Sequence, residues 1–124
     1  MGPEGVGNSE ISAIAGPASE GMYVTLPKSF DQDPRNKELV DGFKAKKQDP
    51  SGPFVFPAYA AVQVIAEGIE KAGSTDTEKV AEALRSNTFD TPTGMLSFDE
   101  KGDLKDFNFV VYEWHQDGTK TEAK

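Results

Sequence analysis

A mixed α/β domain is the fold class that this sequence of 124 residues predicts. The first observation behind it is the stretch 54–73, FVFPAYAAVQVIAEGIEKAG, the longest apolar run with helical periodicity. The second is the β-branched and aromatic content of 21–26, 94–98 and 107–114, which reads as strands. The third is their order: helix, strand, helix, helix, helix, strand, strand. That order gives a thin sheet for so many helices, so the chain is expected to be part of a larger fold.

The elements follow from local chemistry. Residues 1–8 are glycine-rich and read as a loop. Ser9 is placed to cap a short helix over 10–15 that ends at Gly16, and Pro27 closes the strand 21–26. Asp33 before Pro34 is an N-cap with proline at the first helical position, and Leu39, Val40 and Phe43 give that helix an apolar face as far as about Lys46. The turn formers of 48–53 lead into the central helix, with Pro57 in its first turn and Gly73 just past its end. Tyr59, Val62, Ile65, Ala66 and Ile69 share one face of it and are expected to be buried, with Ala60, Ala61 and Val64 widening the apolar side. Thr75 and Glu78 have capping-box spacing before a helix ending near Ser86, whose buried face is Val80, Ala81 and Leu84. Residues 87–93 read as a loop, 99–103 as a tight connection between the last two strands, and the tail beyond Asp117-Gly118 as frayed or weakly paired.

Composition excludes several classes of function. The net charge of −8 and pI near 4.6 oppose binding to nucleic acid or anionic lipid. Lys44, Lys46 and Lys47 are the only basic cluster, and a helix end accounts for them. No apolar run is long enough to suggest a membrane span. The absence of cysteine excludes disulfides, thiolate nucleophiles and cysteine metal sites. His115 is the single histidine, which rules out a multi-histidine metal site, and no nucleophile stands out to accompany it; a surface histidine at a strand end is the better reading. Asp99, Glu100 and Asp103 lack the order of an EF-hand loop and read as a solvated turn. The glycines at 2, 5 and 7 are not followed by the Lys-Ser/Thr of a phosphate loop. The start MGPEGVGN has neither the charged nor the apolar region of a secretory signal, so the protein is expected either to be cytosolic or to carry its export signal upstream of this chain.

Two residues differ in kind. Glu4, in a glycine-proline loop, can present an anion to a ligand ammonium, and Phe54, at the start of the central helix, can wall an apolar pocket. The plainer alternatives are a solvated loop acid and a hydrophobic staple.

Four stretches, MGPEGVGN, AGPASEGMYVTLPKSFDQDP, KKQDPSGPFVFPAYAAVQ and TGMLSFDEKGDLKDFNFVVYEWH, together resemble the periplasmic binding proteins for leucine, isoleucine and valine. The similarity extends over essentially the whole chain, and FDEKGDL alone is typical of the wider type I class. The resemblance implies a type I periplasmic-binding-protein clamshell of which this chain is a C-terminal fragment containing pieces of both α/β lobes. Residues 1–26 would belong to the C-terminal lobe, 27–36 to a hinge crossing and linker, 37–105 to the N-terminal lobe, and 106–124 to a further crossing and return to the C-terminal lobe. Most of both sheets would then lie upstream, as would the signal peptide. The resemblance makes Glu4 the partner of the ligand's α-ammonium and Phe54 a lining of its side-chain pocket, while the groups that hold the ligand carboxylate match no residue here.

The function so implied is not enzymatic and uses no cofactor. It is periplasmic capture of leucine, isoleucine or valine by lobe closure, and delivery to the permease of an ABC transporter, by a full-length protein that is monomeric. Two rivals remain: the ligand-sensing domain of a receptor, and a ligand-free α/β domain that self-associates through its apolar face.

Overall fold

The computed structural model describes residues 1–2, 4–107 and 109–123; for Glu4 it describes the backbone alone. The chain forms two compact units, the first built from Met1–Ser29, Ser51–Pro53 and Asn108–Lys124 and the second from Phe30–Pro50 and Phe54–Phe107.

The first unit is built on an antiparallel pair between β1 (Tyr23–Pro27) and β4 (Phe109–Trp114), in register from Tyr23 opposite Glu113 to Pro27 opposite Phe109. Alternation places Val24 and Leu26 on the same side as Tyr112 and Trp114, and these four form its buried core. β5 (Lys120–Glu122) extends the sheet beyond β4, so the tail is paired, though briefly. On the other side of β1, Gly2 makes a parallel bridge to Val24 and donates its N–H to the Tyr23 carbonyl at 2.7 Å. The short helix α1 (Glu10–Ala15) forms as expected, but its Ser9 side chain makes no cap. Asn8 takes that part, its Oδ1 accepting the Glu10 N–H at 2.9 Å, because Ser9 already has helical dihedrals and only the residue before it can reach back.

In the second unit a 3₁₀ turn (Pro34–Asn36) precedes α2 (Lys37–Ala45), and the Asp33 carboxylate accepts the Arg35 N–H. The helix ends in the lysine cluster, with Lys47 at φ 57°, the left-handed region that costs an L side chain about 1–2 kcal/mol. Lys47→Gly is therefore expected to stabilise the protein by about 0.5–1 kcal/mol in urea denaturation, since only part of that strain is returned as glycine's extra unfolded-state freedom.

The central helix α3 (Val55–Ala72) ends at Gly73 in the left-handed conformation, as its sequence signals require. Its buried face is not the expected one. Phe56, Ala60, Val64 and Gly68, spaced by four, face the interior, whereas Tyr59, Val62 and Ile65 are 44%, 69% and 52% exposed. A helix apolar on nearly every side gives no periodicity with which to choose a face. The choice is made by α4 (Thr77–Ser86), which packs where Gly68 leaves room for Leu84, and by β2 (Thr88–Thr91), whose Asp90 carbonyl accepts from Gln63 Nε2 at 2.9 Å. The cap of α4 is Asp76, accepting the Lys79 N–H, and not the Thr75 and Glu78 box; Asp76 has the extended backbone that aims its side chain at the open amides.

The stretch 87–93 is not simply a loop, because Thr88–Thr91 forms β2, paired antiparallel with β3 (Gly94–Ser97). Its alternation, with Phe89 and Thr91 buried and Thr88 and Asp90 exposed, was masked by turn-forming residue types. The expected tight turn over 99–103 does form: Asp99 Oδ1 accepts the amides of Lys101 and Asp103, both at 2.9 Å. It returns the chain to Leu104, opposite Phe98, and not into β4, which belongs to the other sheet.

Candidate functional site

Glu4 opens a 3₁₀ turn (Glu4–Val6) that follows directly on the parallel bridge at Gly2. Its side chain lies outside the described residues, so its partners are not assigned. The backbone beneath it is closely held. A Cβ at residue 2 would stand 2.5 Å from Val6 Cγ2, so a side chain there would force Val6 to shift. Trp114 Nε1 donates to the Val6 carbonyl at 3.0 Å, tying the turn to β4 across 108 residues of sequence.

Phe54 is the N-cap residue of α3: its carbonyl accepts the Ala58 N–H at 2.9 Å, and the residue is 46% exposed. The aromatic packing near it involves other residues, with Phe43 6.2 Å from Phe56 and 6.5 Å from Tyr59 between ring centroids. Glu4 and Phe54 belong to different units.

His115 lies at the end of β4 and is hydrogen-bonded on both ring nitrogens, Nδ1 to Glu20 Oε1 at 3.2 Å and Nε2 to Thr121 Oγ1 at 2.9 Å. Glu20 Oε2 also accepts the Gln116 N–H at 2.7 Å. That backbone hydrogen bond first, and the His115 contact second, hold the Glu20 carboxyl below its ordinary pKa. A depressed carboxylate adds stability that is complete above its unfolded value and is lost as pH falls through the folded one. Glu20→Gln is expected to flatten the acid dependence of first-unit stability below about pH 4.5, read by thermal melts at stepped pH.

Two concave surfaces among the described residues lie elsewhere. One of about 630 Å³ runs along α4 from Thr77 to Arg85, and one of about 420 Å³ is lined by Arg85, Ser86, Phe98, Asp99, Glu100 and Lys105. Both mix charges of either sign and neither has the apolar wall an aliphatic ligand requires. No cluster of metal-ligating side chains occurs among the described residues. Sequence reasoning missed Trp114 as the residue that fixes the Glu4 turn. Alternation could have placed it in the core, but no local signal names a partner 108 positions away.

Residues 1–119 match the family described as periplasmic binding protein, and the chain belongs to that family. Its helices and strands are those of the type I fold. Among its relatives is the leucine-, isoleucine-, valine-, threonine- and alanine-binding protein of Pseudomonas aeruginosa, 75% identical over all 124 residues, which cover 33% of that protein. The Leu/Ile/Val-binding protein of Escherichia coli K12 is 53% identical over the same span, again 33% of its length. Among solved structures, a leucine binding protein from Thermotoga maritima superposes with a TM-score of 0.80 at 28% identity, over 98% of this chain and 35% of that one. The chain thus spans about a third of the length of the relatives it matches.

Proposed function

We propose that this chain is the C-terminal part of a periplasmic solute-binding protein that captures leucine, isoleucine or valine and delivers it to the permease of an ABC transporter, without catalysing a reaction. The observation that carries the reading is the 75% identity to an amino-acid-binding relative over the whole chain. The first unit then belongs to the C-terminal lobe and the second to the N-terminal lobe. Glu4 offers its carboxylate to the ligand ammonium, and Phe54 offers an apolar surface to the aliphatic side chain. A ligand that touches residues of both lobes stabilises the closed state by its differential contacts, which is how binding becomes a signal the permease can read.

In a protein comprising this chain and the upstream portion its relatives possess, Glu4→Gln is expected to weaken leucine binding by more than about 1 kcal/mol, the loss of a charge-assisted hydrogen bond. Isothermal calorimetry reads it, and unchanged affinity would refute the assignment. The exposed Tyr59, Val62 and Ile65 favour a second reading for the chain by itself, self-association through α3 without ligand. Sedimentation separates the two: a monomer that binds leucine excludes it.

A further inference from the structure

A 3₁₀ turn of three residues has too few internal hydrogen bonds to hold its own shape, so the Glu4–Val6 turn takes its place from what grips its ends. Both grips come from the sheet of the first unit. Before the turn, the Gly2 N–H is held on the Tyr23 carbonyl at 2.7 Å, beside the bridge to Val24. At its end, the Val6 carbonyl accepts the Trp114 indole N–H at 3.0 Å. The indole is itself closely fixed. Trp114 is 2% exposed, its backbone N–H donates to the Met22 carbonyl at 2.9 Å, and its carbonyl accepts the Gly21 N–H at 3.0 Å, which locks the end of β4 to the start of β1. Lys120, directly opposite on β5, places its ammonium 5.3 Å from the centroid of the indole and 5.6 Å from that of the Tyr112 ring. A cation over the ring face favours one setting of the ring plane, and that plane aims the N–H.

We propose that Trp114 is a positioning residue for the carboxylate of Glu4, its indole N–H setting where the Glu4–Val6 turn stands on the sheet. The inference rests on the reading of Glu4 as the partner of a ligand's α-ammonium. A charge-assisted hydrogen bond of that kind requires the carboxylate oxygen within about 2.7–2.9 Å of the nitrogen. A turn that drifts by about 1 Å spreads its carboxylate over positions that do not reach, so the group needs a support whose own rotamer is locked. The indole meets the requirement. It donates and cannot accept, so turning the ring over leaves a buried N–H without a partner, and one orientation alone satisfies it. Affinity for the ammonium is then set in part by a ring far along the chain from the residue that binds it.

The test is a double-mutant cycle read by isothermal calorimetry with leucine, in a protein comprising this chain and the upstream portion its relatives possess. Trp114→Phe keeps an aromatic ring and removes the N–H. It is expected to weaken leucine binding about fivefold where Glu4 is present, the equivalent of one hydrogen bond's net contribution, and less than about twofold in the Glu4→Ala background, where no carboxylate is left to aim. Equal losses in the two backgrounds overturn the proposal, because an indole that only stabilises the fold acts on both alike. So does an affinity unchanged by Trp114→Phe while Glu4→Ala weakens binding, and the reading of Glu4 then stands without it. If Glu4→Ala itself leaves affinity unaltered, that reading fails and this inference falls with it. Where Trp114→Phe does not fold, Trp114→benzothienylalanine takes its place: sulfur stands where the N–H was, the shape of the ring is kept, and the same cycle decides.

Discussion

Trp114→Ala is expected to destabilise the first unit by about 3–5 kcal/mol, the cost of emptying a large buried aromatic site. The indole is 2% exposed and packs with Val24, Leu26 and Tyr112, with Val6, Ile11, Met22 and Val110 around them. A cavity of that size sits among residues fixed by the β1–β4 ladder, which can collapse little to fill it. The loss is comparable with the whole stability of many domains, about 5–15 kcal/mol, so the unit should be largely unfolded at mild urea concentrations. Amide exchange at Val24 and Leu26 measures it, and protection equal to the wild type would show that the core does not depend on the ring. Trp114→Phe separates the two contributions, because it retains most of the packing and loses the hydrogen bond to Val6, at about 1 kcal/mol. Since the turn opened by Glu4 is held by that hydrogen bond, Trp114→Phe should loosen the Glu4–Val6 amides before it loosens the sheet.

The second large effect belongs to the other unit. Gly68→Leu is expected to cost about 1–3 kcal/mol or to part α4 from α3, because overpacking a tight helix contact forces side chains off their rotamers. A Cβ at position 68 would meet Leu84 Cδ2 at 2.7 Å and Leu84 Cγ at 3.2 Å, with Val80 Cγ1 at 3.6 Å. Alanine there is a different case. Its gain in helix propensity over glycine, about 1 kcal/mol, opposes a clash with the movable end of one side chain, so Gly68→Ala should be close to neutral. Urea denaturation followed by helical circular dichroism checks the series. Adding Leu84→Ala to Gly68→Leu should recover part of the loss, and an unaltered midpoint in Gly68→Leu alone would contradict the close approach.

Elements with a local cause were legible in the sequence. Asp33 before Pro34, the Gly73 stop, the Asp99 turn and the β1 and β4 strands all form, because a cap, a left-handed glycine or a β-branched run needs only its neighbours. Choices made by distant partners were not. The buried face of α3 depends on α4 and β2, and the strand Thr88–Thr91 is recognisable only once Gly94–Ser97 lies against it. The pairing of β3 and β4 with different strands has the same origin, since both sequences are equally strand-like and only the sheets distinguish them. Of the candidate site, Glu4 and Phe54 were picked out by residue type and loop chemistry. The group that fixes the backbone around Glu4, the Trp114 indole, acts on a partner far away in the chain and had no sequence signature.

The β1–β4 ladder sets an order of events during folding. Tyr23 finds Glu113 only after the stretch between them has been made, whereas residues 30–107 contain nearly everything the second unit needs. Closing so long a loop is entropically costly, and contacts of high sequence separation form slowly. The second unit therefore forms first and leaves β1 waiting, its apolar side uncovered, until Phe109–Trp114 pairs with it. That interval is where a chaperone has most to protect, and a chain cut shortly before residue 109 would keep a folded second unit and leave β1 without its partner.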